Sequence, residues 1–100
     1  MSWITADKKL HQAGIYLGPL GVHDYEDTVK FNCPFDKMPE TMIEIKSKFP
    51  QAKIIAGGRS IIENCVCVFV QLGELKDNPN AKLNEIDKRD IDIVIKYAKQ

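Results

Sequence analysis

The chain has 100 residues, and its 14 basic and 14 acidic residues give a formal net charge of zero. This length suits one domain that buries about two-thirds of its unfolded surface, and a composition of 44% apolar and 28% charged residues argues against intrinsic disorder. A neutral chain is also a poor candidate for nonspecific binding to nucleic acids or membrane surfaces, which usually requires a basic protein.

The cysteines and the N-terminus indicate a cytoplasmic protein. Three cysteines, an odd number, do not form the paired framework of a small secreted scaffold. Residues 1–9 lack the basic start and apolar core of a signal peptide, and the longest apolar run, Val66–Val70, is far too short to cross a membrane. Many lysines and isoleucines with only two arginines indicate an AT-rich bacterial or phage genome.

The first predicted element is a short helix. Thr5 is placed to cap its N-terminus and Gly14 its C-terminus. Its apolar face is thin, consisting of Ala6, Leu10 and Ala13, so we expect it to pack weakly.

A β-hairpin is predicted next. Alternation within Ile15–Val22 favours a strand, and Pro19 confines that strand to an edge or ends it. Thr28–Asn32 alternates more cleanly and forms the second strand. The polar segment Gly21–Asp27 is then the loop of the hairpin.

The second helix is the most clearly predicted one. Pro39 suits the first helical turn, Glu40 complements the positive end of the helix dipole, and Pro50 ends the helix. Four apolar residues recur at helical spacing and form one stripe: Met38, Met42, Ile45 and Phe49.

Two further strands are predicted, with a turn between them. Lys53–Ala56 is a short strand, Gly57 and Gly58 form the turn, and Ile61–Leu72 is the most strongly predicted strand of the chain. Because Cys65–Val70 is apolar on both alternating faces, this strand is expected to be central and covered on both sides. The second cover would be the N-terminal segment or another subunit.

The last element is ambiguous between strand and helix. Leu75–Lys82 is a polar loop, and residues 91–97 fit either strand alternation or a helical face. A helix over Ile86–Lys99 is preferred because Asp87–Asp90 resembles a capping arrangement, and because Lys96 and Lys99 lie where a helix C-terminus favours cations. The β-branched isoleucines and valine are the argument against it.

These elements predict a single α+β domain over residues 1–100. Its order is β-β-α-β-β-α, with a possible short N-terminal helix, and it has an antiparallel sheet of about four strands with two helices on one face.

The segment Gly57–Ser60 is the strongest candidate for a ligand site. Glycine backbone N–H groups can surround a compact anion, and Arg59 can add a bidentate contact to phosphate or carboxylate. The predicted ligand residues are therefore Gly57, Gly58, Arg59 and Ser60. A tight turn with an exposed arginine, or a short helical turn opened by Ser60, explains the same residues without a ligand.

Two other clusters have simpler structural explanations. His23–Asp27 contains a histidine and three carboxylates that could ligate a metal, but loops between strands are often acidic because they are solvated. Cys65 and Cys67 share one strand face, and their spacing does not match a structural zinc site. We interpret the cysteines as small buried apolar residues, and predict neither a metal nor a cofactor.

No catalytic constellation stands out, so the leading hypothesis is a non-enzymatic binding module. It would be a homo-oligomer that binds a partner protein or a small phosphate-bearing anion. One alternative is a metal-assisted hydrolase that uses His23, Asp24, Glu26 or Asp27. Another is a structural subunit of a larger assembly.

Overall fold

One antiparallel sheet and three helices make up the computed structural model, which describes residues 5–17 and 23–100. The strands are β1 (His23–Tyr25), β2 (Thr28–Pro34), β3 (Lys53–Arg59) and β4 (Cys65–Gln71). The helices are α1 (Ala6–Gln12), α2 (Met38–Lys46) and α3 (Glu85–Ala98), with a 3₁₀ turn at Phe35–Lys37 before α2.

The sheet has the strand order β1-β2-β4-β3, and every neighbouring pair is antiparallel. Three seven-residue strands form its body, and the three-residue β1 adds a short edge beside β2. At its middle, Val68 of β4 lies opposite Phe31 of β2 and Gly57 of β3. The predicted central position of the Cys65–Val70 strand is therefore confirmed.

The hydrophobic core lies on one side of this sheet. Val66, Val68 and Val70 of β4 are fully buried there, and all three helices contribute buried residues to the same apolar cluster. The described residues thus form one α+β domain with three helices on the core side, where the sequence predicted two helices and an optional third. We call this side of the sheet the covered face.

Helix α1 packs more firmly than predicted. Thr5 caps its N-terminus, and Ala6 and Leu10 are buried in the core. At the other end Gly14 has a φ of +74°, and the N–H of Ile15 donates to the carbonyl of Leu10 at 2.9 Å. This pattern is a Schellman motif, which joins buried Leu10 to buried Ile15 and explains why so short an apolar face suffices.

The hairpin forms, but with a different first strand. Residues 15–17 are not in a strand, and the rest of the predicted Ile15–Val22 strand, including Pro19, lies outside the described residues. The first strand is instead β1, within the segment predicted as a loop. It reverses into β2 through Glu26 and Asp27, where Glu26 takes a φ of +52°. The prediction failed because β1 is polar and too short to show alternation.

Helix α2 confirms its predicted stripe, since Met38, Met42, Ile45 and Phe49 are all fully buried. The helix itself ends at Lys46, before Pro50. The Lys46 side chain is also buried, and its ammonium donates to the Asp87 carboxylate at 2.5 Å. Because Asp87 lies in the first turn of α3, this ion pair joins two helices on the covered face.

The ambiguous C-terminal segment is helical, as preferred. Asn84 and Asp87 form a reciprocal capping box at the start of α3. The buried side of the helix carries Ile91, Val94 and Ala98, which follow helical spacing. Exposed Ile93 and Tyr97 lie between them, and this second apolar stripe is what made the segment resemble an alternating strand.

Candidate functional site

The predicted turn at Gly57 and Gly58 is wrong, because both glycines lie inside β3. They pair with Val68 and Cys67 of β4, and neither has a positive φ. A Cβ on Gly57 would lie 2.7 Å from Val94 Cγ1, so this glycine allows α3 to approach the sheet. The backbone nest expected for an anion is therefore not formed by these two residues.

Arg59 and Ser60 line a shallow depression of about 380 Å³ at one end of the sheet. Lys99 lines it as well, with its ammonium 5.2 Å from the centre of the Phe35 ring. Ser60 does not open a helical turn. Its hydroxyl donates to Asn32 Oδ1 at 2.6 Å and accepts from the N–H of Ile62 at 2.9 Å.

The electrostatics of this depression are mixed. Arg59 and Lys99 supply positive charge, but Glu63 lines the same space, and α3 ends there at Ala98 with its carbonyl groups. Both the carboxylate and the negative end of the helix dipole oppose the binding of an anion. Of the four predicted ligand residues, the structure thus brings Arg59 and Ser60 together in a depression and leaves Gly57 and Gly58 in the strand.

Among the acidic residues of the predicted His23–Asp27 loop, Asp27 has a structural role. Its carboxylate accepts from the Lys9 ammonium and from the N–H of Gly73, which ties α1 and the segment after β4 to the hairpin. Glu26 is exposed at the turn. Among the side chains of residues 5–17 and 25–100, which the structure describes, no three from His, Cys, Asp or Glu are grouped so that they could hold a metal ion.

The cysteines show no sign of activation. Cys33 and Cys65 are buried, and burial raises the pKa of both thiols above the usual 9.0. Such a shift keeps the thiols protonated and weakly nucleophilic. The pKa of Asp77 is lowered by its hydrogen bond from Lys48 and by the charge of that lysine, at an exposed ion pair. Each shift thus has a structural cause.

The free edge of β3 is a more prominent feature that the sequence did not reveal. Among the described residues β3 is the last strand of the sheet, and an apolar groove of about 250 Å³ lies between it and α3. Ile55 is 50% exposed there, Ile93 is 42% exposed and Tyr97 is 59% exposed. We call these residues, with Ile54, Ala56 and Asp90, the edge groove. The second apolar stripe of α3 was the available signal for it.

The side of the sheet opposite the core is the second prominent surface. No helix of the described chain lies on it, since all three contribute to the core cluster. From the strand register, the residues on this open face include Tyr25, Thr28, Lys30, Asn32, Pro34, Lys53, Ala56, Gly58, Cys65, Cys67, Phe69 and Gln71, of which Cys65 is buried. The expected cover of the second face is therefore not provided by any described helix.

Compared with protein-family models, with curated proteins and with solved structures, the chain shows no significant match to any. In the described ranges, no helix has the length and apolar character needed to traverse a bilayer.

Proposed function

We propose that the protein is a non-enzymatic binding module that acts as a homodimer joined through the edge groove. The observation that carries this proposal is the concentration of exposed apolar side chains along the free edge of β3, where Ile55, Ile93 and Tyr97 are each at least two-fifths exposed. Exposed apolar residues are common when scattered, but a contiguous group beside an unpaired strand is typical of a protein interface.

The geometry of β3 supports strand-to-strand docking. Its outer edge offers backbone donors and acceptors that a second strand can pair with. A register irregularity between Ile54 and Ala56 leaves Ile55 as an extra residue, after which Ala56–Arg59 pairs regularly with β4. This regular half provides the straightest stretch for an added strand.

A second copy of the chain is the partner that this surface fits best. A two-fold axis places the same patch on both sides, so that Ile93 and Tyr97 of each copy pack beside their counterparts. The patch also contains both signs of charge. Lys53 and Arg59 lie at the two ends of β3, and Asp90 lies on α3. Unlike charges can therefore face one another across the axis.

Sedimentation equilibrium at micromolar concentration tests this proposal. We expect twice the monomer mass of 11.3 kDa for the native chain, and the monomer mass for Ile93→Lys. Ile43→Lys is the matched control, because Ile43 is 40% exposed on α2, outside the edge groove, and this variant should remain dimeric.

A native monomer would refute self-association, and the edge groove would then be a site for a different protein. A mass that keeps rising with concentration would instead favour the subunit of an open-ended assembly. Equal dimerisation of both variants would place the interface elsewhere.

The depression beside Arg59 supports a second candidate, the binding of a small phosphate-bearing anion. No ion pair joins Arg59 to another side chain of the described chain, and Ser60 and Lys99 line the same space. A charge-assisted hydrogen bond contributes roughly 1.5–3 kcal/mol, so Arg59→Ala should weaken binding about tenfold to a hundredfold. A thermal-shift screen with inorganic phosphate and nucleotides tests this, and no shift for any anion would reject it.

A further inference from the structure

We propose that the open face binds a short segment of single-stranded nucleic acid. The inference is based on an aromatic pair, Tyr25 and Phe69, which lies beside lysines on the open face. None of the described helices covers this face. The proposal concerns a single chain and does not require the dimer. Because Lys53 and Ala56 lie on β3 beside the edge groove, oligonucleotide binding by the Ile93→Lys variant separates the two proposals.

The aromatic pair has the arrangement of a stacking platform. The ring centroids of Tyr25 and Phe69 are 6.3 Å apart, and the rings are tilted by 37°. Tyr25 is 54% exposed at the edge of the sheet, and Phe69 is half-buried on the central strand. Aromatic side chains placed this way on an antiparallel sheet accept bases that are not paired to a second strand.

Small neighbours leave room for a base beside Phe69. Ala56 lies directly opposite Phe69 on β3, and Gly58 lies opposite Cys67. A Cβ on Gly58 would meet no atom within 4 Å, so the space above this glycine is open. A flat ring can therefore approach the sheet backbone on the β3 side of Phe69.

The charge of the open face selects an anionic partner. Its strand positions carry Lys30, with the ammonium 5.9 Å from the centre of the Phe69 ring, and Lys53 opposite Gln71. The face as defined by the register contains no carboxylate. A second copy of the chain would set these lysines against lysines, whereas a nucleic acid strand supplies phosphates for the cations and bases for the rings.

The zero net charge of the chain is compatible with this assignment. It argues against binding over the whole surface, but acidic residues such as Asp90 and Asp92 lie on α3 rather than on the strands of this face. Exposed Glu26 follows Tyr25 in the hairpin turn. Two lysines imply a short footprint and modest affinity. Two rings imply that about two bases are stacked.

The test is fluorescence anisotropy with a labelled ten-nucleotide oligouridylate and its thymidylate counterpart at low ionic strength. We expect saturable binding whose log–log salt slope is about −1.4, from about −0.7 for each of two phosphate contacts on a single strand. Tyr25→Leu and Phe69→Leu keep apolar volume but remove the stacking ring, and each should weaken binding roughly tenfold or more. Lys30→Ala and Lys53→Ala should each reduce the slope by about half.

Phe35→Leu and Lys88→Ala are the matched controls, since Phe35 packs against the core and Lys88 is exposed on α3, both away from the open face. Both should leave oligonucleotide binding unchanged, and circular dichroism should show every variant folded. Tyr25→Leu alters an exposed side chain, so it keeps the test valid if Phe69→Leu unfolds.

Four results would overturn the proposal. One is the absence of binding at protein concentrations of hundreds of micromolar. Another is binding that survives both ring substitutions, and a third is equal competition by polyglutamate, which would show attraction by charge alone. Loss of binding in Lys99→Ala but not in Lys30→Ala would also overturn it, by moving the phosphates to the depression beside Arg59.

Discussion

The two faces of β4 are made from similar residues but have different surroundings. Val66, Val68 and Val70 on the covered face have no exposed surface. On the open face Cys67 and Phe69 are half-buried, and Cys65 at the start of the strand is buried. An apolar residue at every position of a strand therefore does not mean that both sides are covered. The covered face builds the core, and no helix of the described residues lies on the open face.

The difference arises from what lies opposite each residue across the sheet. On the covered face, Val68 is flanked by Phe31 and approached by α3 over Gly57. On the open face, Phe69 is flanked by Lys30 and Ala56. The polar and small neighbours give a helix nothing to pack against.

Two phenylalanines on opposite faces provide the largest contrast. Phe31 is 1% exposed in the core, and we expect Phe31→Ala to reduce the free energy of unfolding by about 3–5 kcal/mol. Phe69→Ala should cost less than half as much, because its ring already contacts solvent. Urea denaturation of both variants measures the difference, and equal losses would show that the open face is covered in solution.

Two lysines extend the comparison to charge. Lys46→Ala leaves the Asp87 carboxylate buried without its partner, and should cost about 3 kcal/mol. Lys30→Ala removes only a cation–π contact on the open face, which is worth about 0.5–1 kcal/mol. Thermal unfolding followed by calorimetry separates the two. A small loss for Lys46→Ala would mean that water reaches Asp87 in solution.

Two adjacent glycines of β3, Gly57 on the covered face and Gly58 on the open face, allow the same comparison with a single methyl group. The new methyl of Gly57→Ala would lie 2.9 Å from Val94 Cβ and 3.1 Å from the carbonyl oxygen of Cys67, which predicts a loss of about 1–3 kcal/mol. Gly58→Ala meets no neighbour and should be neutral or stabilising by up to about 1 kcal/mol. Equal effects in chemical denaturation would contradict the close approach of α3.

The thiols show the smallest difference, in reactivity and pH dependence. Cys67 on the open face should react with a disulfide reagent before buried Cys33 and Cys65, and Cys67→Ser should remove the fast phase. Because burial raises the pKa of the two buried thiols, the unfolded chain loses these protons first as the pH rises. Their contribution to stability is complete below about pH 9 and is lost as the pH rises through the folded pKa. Stability that is constant above that pH would contradict this.

Periodic apolar patterns and capping residues were sufficient to predict much of the fold. The stripe of α2, the central position of β4 and the caps of α1 all follow from local spacing, because a side chain that must be buried recurs with the period of its element. The capping box at Asn84 explains why α3 is a helix despite its β-branched residues. These features depend on residues close together in the chain.

Contacts between distant residues decided the rest. Gly57 and Gly58 resemble a turn in the sequence. In the structure they continue β3, because their backbones pair with β4, and the close approach of Val94 requires a glycine at position 57. Similarly, nothing in the local sequence of Phe69 or Ile93 indicates which side of the sheet the helices occupy. A residue's own pattern specifies that it is apolar, whereas the packing of all three helices on one face determines whether that residue becomes core or surface.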